Sequence, residues 1–216
     1  MRGEELQLNT DKLQHRPLYN GVKRCSDILF TLIGLILLIP IFIIIPILIK
    51  ADDGGPIFYR ADRVGKNGKN FGMFKFRSMR VNADQELAKL KAQSDVSGPM
   101  FKMKNDPRIT RIGKFLRKTS LDELPQFFNV LLGDMSLVGP RPPLPSEVEE
   151  YTEHDKLRLL VIPGVTGLWQ ATARNSVGFD EMVNLDIKYI RDSGVWLDIK
   201  IILLTVKIIF LPNDAY

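Results

Sequence analysis

Residues 28–49 read ILFTLIGLILLIPIFIIIPILI, 22 residues without a charge, and how this run is taken decides the fold. At about 1.5 Å per helical residue it is long enough for a hydrocarbon core of about 30 Å. Two features argue against a straight crossing. Pro40 sits just past the centre and Pro46 follows, and an interior proline lacks the N–H needed for the i to i−4 hydrogen bond, so it kinks a helix. Basic residues also flank both ends, Lys23 and Arg24 before and Lys50, Arg60, Arg63 and Lys66 after. The positive-inside tendency is met best when both ends stay on the cytoplasmic side. The run therefore reads as a re-entrant helix–break–helix that enters one leaflet and returns, broken at Pro40. A kinked spanning helix is the competing reading, because helices in lipid tolerate proline.

On the N-terminal side, residues 1–22 form a polar lead without the charged start, apolar core and small-residue cleavage site of a signal peptide. Residues 23–50 make the membrane segment and residues 51–216 a cytoplasmic domain carrying interfacial amphipathic helices. After the turn-rich exit Ala51–Pro56, PIFYR and FGMFKFRSM read as two strands joined around Asn67-Gly68, a strong hairpin signal. The second strand alternates, Phe74 and Phe76 on one face against Lys75 and Arg77 on the other. A short helix is expected over 84–92, and residues 94–107 read as an irregular segment able to close over a site. RITRIGKFLRK, residues 108–118, holds five basic residues and no acid around Ile109, Ile112 and Leu116 at helical spacing. A basic amphipathic helix suits a membrane surface or a nucleotide diphosphate. Further helices are expected over Ser146–Leu160, Asp180–Arg191 and Trp196–Leu211, the last an interfacial or packing helix.

The chemistry concentrates in residues 117–142, RKTSLDELPQFFNVLLGDMSLVGPRP. Asp122 and Glu123 are adjacent carboxylates between a basic segment and an apolar helical run, with Pro125 tolerated in a first helical turn. Neighbouring side chains diverge by about 100° on a helix, so one carboxylate can reach a substrate phosphorus while the other holds a hard cation. Ser120 to Glu123 equally reads as an S-x-x-E capping box, a purely local role. Arg141 lies between prolines, where a stiff turn holds its planar fork for phosphate oxygens or leaves it solvated.

The chain has 216 residues and a formal charge of +5, enough for one globular domain with a core and a preference for anionic partners. Nucleic acid is disfavoured, since no nucleic-acid-binding motif or interleaved aromatic face is present. The glycines of PGVTGLWQ, residues 163–170, do not match a dinucleotide fingerprint. Cys25 is a single cysteine, and His15 and His154 have no metal-ligand company.

KNDPRITRIGKFLRKTSLDELPQ, GDMSLVGPRP and PGVTGLWQ, together with GPIFYRADRVG and FKFRSM, closely resemble the bacterial sugar transferase family, the monotopic phosphoglycosyl transferases. The resemblance runs from about Lys23 to about Val206. It implies an α+β, mostly helical, membrane-associated catalytic domain with a small β-hairpin and a re-entrant helix. It implies transfer of a sugar 1-phosphate from a UDP-sugar to undecaprenyl phosphate through an aspartyl-phosphosugar, releasing UMP. Such a reaction opens exopolysaccharide, capsule, O-antigen or glycoprotein glycan assembly at the bacterial inner membrane, facing the cytoplasm. Asp122 is then the nucleophile and Glu123 the Mg²⁺ ligand. Arg117 and Arg141, with Lys75 and Arg77 behind them, are the phosphate-binding candidates. Ile39 stands before Pro40 where some relatives place serine. A membrane-bound diphosphosugar or lipid-phosphate hydrolase and a non-enzymatic membrane-surface module remain alternatives. The sugar, the polyprenol length, a homo-oligomeric state and membership of a longer protein stay open.

Overall fold

The computed structural model describes residues 16–90, 103, 106–173 and 177–210. Helix α1 (Pro17–Leu37) and helix α2 (Ile39–Asp53) meet at Leu38 with a bend of 62°. Pro40 is in the first turn of α2, where its missing N–H would have had no helical partner. The break thus falls two residues before the proline, which starts the second helix instead of interrupting the first. Leu38 still donates to the Gly34 carbonyl at 2.9 Å and accepts from Phe42 at 3.0 Å. Among the described residues no single helix is long and apolar enough to cross a membrane, but the bent pair is by length and composition. Its exposed side chains include Phe30, Ile33 and Leu37 on α1 and Ile43, Ile44 and Ile47 on α2.

Helix α1 reaches back into the expected polar lead, and its basic residues are not a free flank. Lys23 pairs with Asp198 at 3.0 Å. Arg24 donates to the carbonyls of Val130 and Leu131, filling acceptors at a helix C-terminus. Asp27 accepts from the Leu137 N–H at 3.0 Å. These three residues tie the apolar pair to the rest of the domain.

Strands β1 (Phe58–Val64) and β2 (Asn70–Phe76) form the expected antiparallel hairpin, with Phe58 opposite Phe76 and Val64 opposite Asn70. Asn67 and Gly68 take positive φ at the turn, the conformation that favours this dipeptide. Phe76 enters a core with Ile45, Ile49 and Leu116, each such burial contributing about 1.5–3 kcal/mol. Helix α3 spans Ala83–Leu90; the rest of the expected 84–92 helix and most of the segment 94–107 lie outside the described residues.

Helix α4 (Arg111–Lys118) is capped by Thr110, whose hydroxyl accepts from the Gly113 N–H at 2.9 Å. Arg108 does not join its basic face: it is buried against Asp106 at 2.6 Å. A 3₁₀ turn, Leu121–Glu123, leads to helix α5 (Gln126–Leu132), which ends at Gly133 with φ +92°. Strand β3 (Ser136–Val138) follows. The single helix expected over Ser146–Leu160 is divided into α6 (Pro145–Val148), α7 (Glu153–Lys156) and a 3₁₀ turn at Leu157–Leu160. Competing caps cause the division: Glu147 accepts from the Leu144 N–H at 2.8 Å, and Thr152 with Asp155 starts the second helix.

Strand β4 (Gly164–Thr166) pairs parallel to β3, Ser136 opposite Gly164 and Val138 opposite Thr166. The sequence reading did not anticipate this second sheet. The crossing needs glycine, since a Cβ on Gly164 would lie 2.0 Å from the Gly139 nitrogen. Helices α8 (Leu168–Thr172), α9 (Phe179–Asp192) and α10 (Val195–Phe210) complete the chain and pack Ala171, Tyr189, Ile190 and Ile201 onto Val138. Leu211 of the expected last helix lies outside the described residues.

Candidate active site

The carboxylate turn is built from its flanking leucines. Leu121 and Leu124 bracket Asp122 and Glu123 and pack against the core of Ile45, Ile49, Phe76 and Leu116, so the acidic pair rests on a core to which α2, β2 and α4 all contribute. Ser120 has φ +56° and no side-chain capping bond. The capping-box reading of Ser120 to Glu123 is therefore not what the fold uses, and Asp122 and Glu123 lie in a 3₁₀ turn ahead of α5, not in its first α-helical turn.

The two carboxylates have different surroundings. Glu123 accepts from Lys75 at 2.7 Å. Burial alone would raise its pKa, but Lys75, then Arg141 and Arg63, hold it down to about 2. Asp122 is 7% exposed. Burial pushes its pKa up to about 6 against the opposing pull of Lys75, and the Glu123 charge adds to the rise. At neutral pH both are mainly ionised, with Asp122 the more basic and hence the better electron-pair donor. Asn129 keeps Lys75 in place: its side chain accepts from the Phe74 N–H at 2.8 Å and donates to the Gly72 carbonyl at 2.9 Å, clamping α5 to β2 on both sides of Met73.

A narrow cleft of about 30 Å³ opens beside Glu123 and is lined by Arg63, Met73, Lys75, Gln126, Arg141, Pro142, Gly164, Val165 and Gln170. Three cations face one lining carboxylate. The proline turn is braced from behind by Arg158, which donates to the Arg141 carbonyl at 3.2 Å and to the Tyr151 hydroxyl at 2.7 Å. Arg158 is itself paired with the fully buried Asp186 at 2.7 Å.

The bacterial sugar transferase family profile matches residues 18–212. This chain belongs to the bacterial sugar transferase family. It is 52% identical over 196 residues to the "galactosyl transferase CpsE" of Streptococcus agalactiae serotype III (strain NEM316), covering 89% of this chain and 43% of that protein. It is 45% identical over 199 residues to the "undecaprenyl-phosphate galactose phosphotransferase" of Salmonella typhimurium, covering 90% of this chain and 42% of that protein. It thus spans less than half the length of these two curated relatives. The "exopolysaccharide production protein ExoY" of Sinorhizobium fredii is 38% identical over 205 residues, with 93% of this chain and 91% of that protein covered.

Of the phosphate candidates, Lys75 and Arg141 come together at the cleft with Glu123. Arg117 is exposed on α4 and acts electrostatically on Asp122. Arg77 is placed elsewhere: it is buried, paired with Asp53 and bonded to the carbonyls of Pro56 and Met79. The alternation that put Arg77 beside Lys75 ends with the strand at Phe76, and Arg77 serves to close the exit of α2. Arg63 was read only as part of a basic flank, yet it lines the cleft. Its signal was available in the hairpin register, since residues 59, 61 and 63 share a face with 71, 73 and 75.

A metal ion has few protein ligands to use. Among the described residues no group of three or more His, Cys, Asp or Glu side chains could hold one, and Lys75 occupies Oε1 of Glu123. A cation at Glu123 would have its one free carboxylate oxygen and would take its other ligands from water and substrate phosphates, a coordination that magnesium accepts.

Proposed function

We propose that this chain transfers a sugar 1-phosphate from a UDP-sugar to undecaprenyl phosphate at the cytoplasmic face of a bacterial inner membrane. The observation that carries the reading is that Leu121 and Leu124, on either side of the acidic pair, pack against the core that Phe76 and Leu116 share with Ile45 and Ile49 of α2. This packing holds Asp122 and Glu123 at the edge of an apolar surface, where a lipid-borne phosphate meets a water-soluble donor. The bent pair is then a re-entrant anchor: its exposed face is apolar, while Lys23, Arg24 and Asp27 hold its base to the domain.

The Asp122 carboxylate attacks the β-phosphorus of the donor. The bond from that phosphorus to the bridging oxygen breaks, and UMP leaves with the bonding pair. The phosphosugar is left on Asp122 as an acyl phosphate. A phosphate oxygen of the lipid then attacks the same phosphorus and frees the carboxylate. Lys75 and Arg117 offset charge near Asp122, and Arg141 holds phosphate oxygens at the mouth of the cleft. Glu123 would hold magnesium, which supplies neutralisation of diphosphate charge.

The test is UMP release by protein in nanodiscs, with a panel of UDP-sugars and Mg²⁺, with and without undecaprenyl phosphate. Release that requires the lipid and one donor is expected, and it names the sugar. Donor-dependent UMP release that is indifferent to the lipid would replace transfer with hydrolysis. No release from any donor would return the chain to a membrane-surface module.

A further inference from the structure

The hairpin register and the proline turn bring two arginines to one cleft. Arg63 stands on the same face of the hairpin as Lys75, and the next residue, Val64, donates its N–H to the Pro143 carbonyl at 3.0 Å. That bond fixes the end of β1 against the turn carrying Arg141, so both side chains line the cleft. The Arg63 Nε is buried without a hydrogen-bond partner among the described residues. A buried polar atom left unpaired is costly, and two guanidinium groups lining one cleft repel each other. Burial and then the Arg141 charge lower the Arg63 pKa to about 10, against the smaller opposing pull of Glu147 and Glu123. Among the described residues that line the cleft, the one carboxylate, Glu123, is already bonded to Lys75.

We propose that Arg63 and Arg141 together form an anion clamp for the diphosphate of the nucleotide-sugar donor. The proposal rests on the transfer reading above and adds Arg63 as a substrate-binding residue. Two forks present parallel N–H donors to adjacent phosphate groups, which a single lysine ammonium cannot do. The anion relieves the repulsion between the arginines and satisfies Arg63, so the clamp closes only when loaded. Lipid phosphate offers the same oxygens, and the experiment separates the two sources.

Full-length protein in nanodiscs, as wild type, Arg63→Met and Arg63→Lys, is titrated with UDP, and KM is measured separately for donor and undecaprenyl phosphate. Arg63→Met is expected to bind UDP about 10- to 100-fold more weakly, the range for losing charge-assisted hydrogen bonds. Its KM for undecaprenyl phosphate should be unchanged, and its ligand-free melting temperature no lower than wild type, because a buried unpaired Nε has been removed. Arg63→Lys should keep that melting temperature with intermediate UDP affinity, and it serves alone if the Met variant does not fold. Wild-type UDP affinity in the variants would overturn the clamp. So would a rise confined to the lipid KM, or a loss of UDP affinity matched by a loss of ligand-free stability. Wild-type protein that bound UDP through Arg63 but released no UMP from any donor would break the transfer reading and leave the clamp standing.

Discussion

Replacing Asp122 by asparagine should do two opposite things: abolish transfer and stabilise the protein at neutral to alkaline pH. The folded carboxyl has a pKa of about 6 against an ordinary value of 3.8. A raised carboxyl pKa means that the folded state resists ionisation more than the unfolded state does. The penalty is absent below about pH 4, grows between pH 4 and 6, and is complete above pH 6. The difference of about two units corresponds to about 3 kcal/mol at about 1.4 kcal/mol per unit. Asparagine has nearly the same shape and no charge, so it removes this cost. For a chain of this size about 1 kcal/mol moves the melting temperature by about 2–4 °C, which gives a rise of about 6–12 °C at pH 8. Melting of both proteins in the same nanodiscs at pH 4, 6 and 8 measures it. A difference near zero at pH 4 that widens to pH 8 is expected, alongside loss of UMP release. An asparagine variant equal to or less stable than wild type at pH 8, or fully active, would refute the assignment of Asp122 as a buried, charged nucleophile.

Glu123→Gln should lose the Mg²⁺ dependence of the rate; unchanged rate and unchanged metal titration would remove Glu123 as the metal ligand. Lys75→Met takes away the main cation holding both carboxylates ionised, so the acid limb of kcat/KM should move to higher pH, by about one unit for a partly screened neighbour. An acid limb that stays in place would show that Asp122 does not control it. Arg158→Met leaves the buried Asp186 without its partner and should cost about 3–5 kcal/mol in denaturant unfolding, whereas a surface-like loss below about 1 kcal/mol would contradict the buried pair.

Local rules carried much of the fold. The Asn-Gly turn, the two strands around it, the helix over Phe179–Asp192 and the apolar pair were legible because each depends on neighbouring residues: turn φ angles, alternation and length of apolar run. Local rules failed where two local signals competed. Ser146–Leu160 read as one helix, but the capping bonds of Glu147 and Asp155 divide it. Lys23 and Arg24 looked like membrane flanks, but Asp198 and the end of α5 claimed them.

The sequence alone singled out the candidate groups: adjacent Asp122 and Glu123, an arginine held between prolines, and an uncharged run long enough for lipid. Tertiary structure alone decided what each charge is for. Lys75 and Arg77 are two residues apart, yet one meets Glu123 and the other Asp53, because the strand ends between them. Arg63 and Arg141 are 78 positions apart in the chain and become neighbours through the hairpin register and one hydrogen bond to Pro143. Charge and burial add over distance in space, and separation along the chain contains neither.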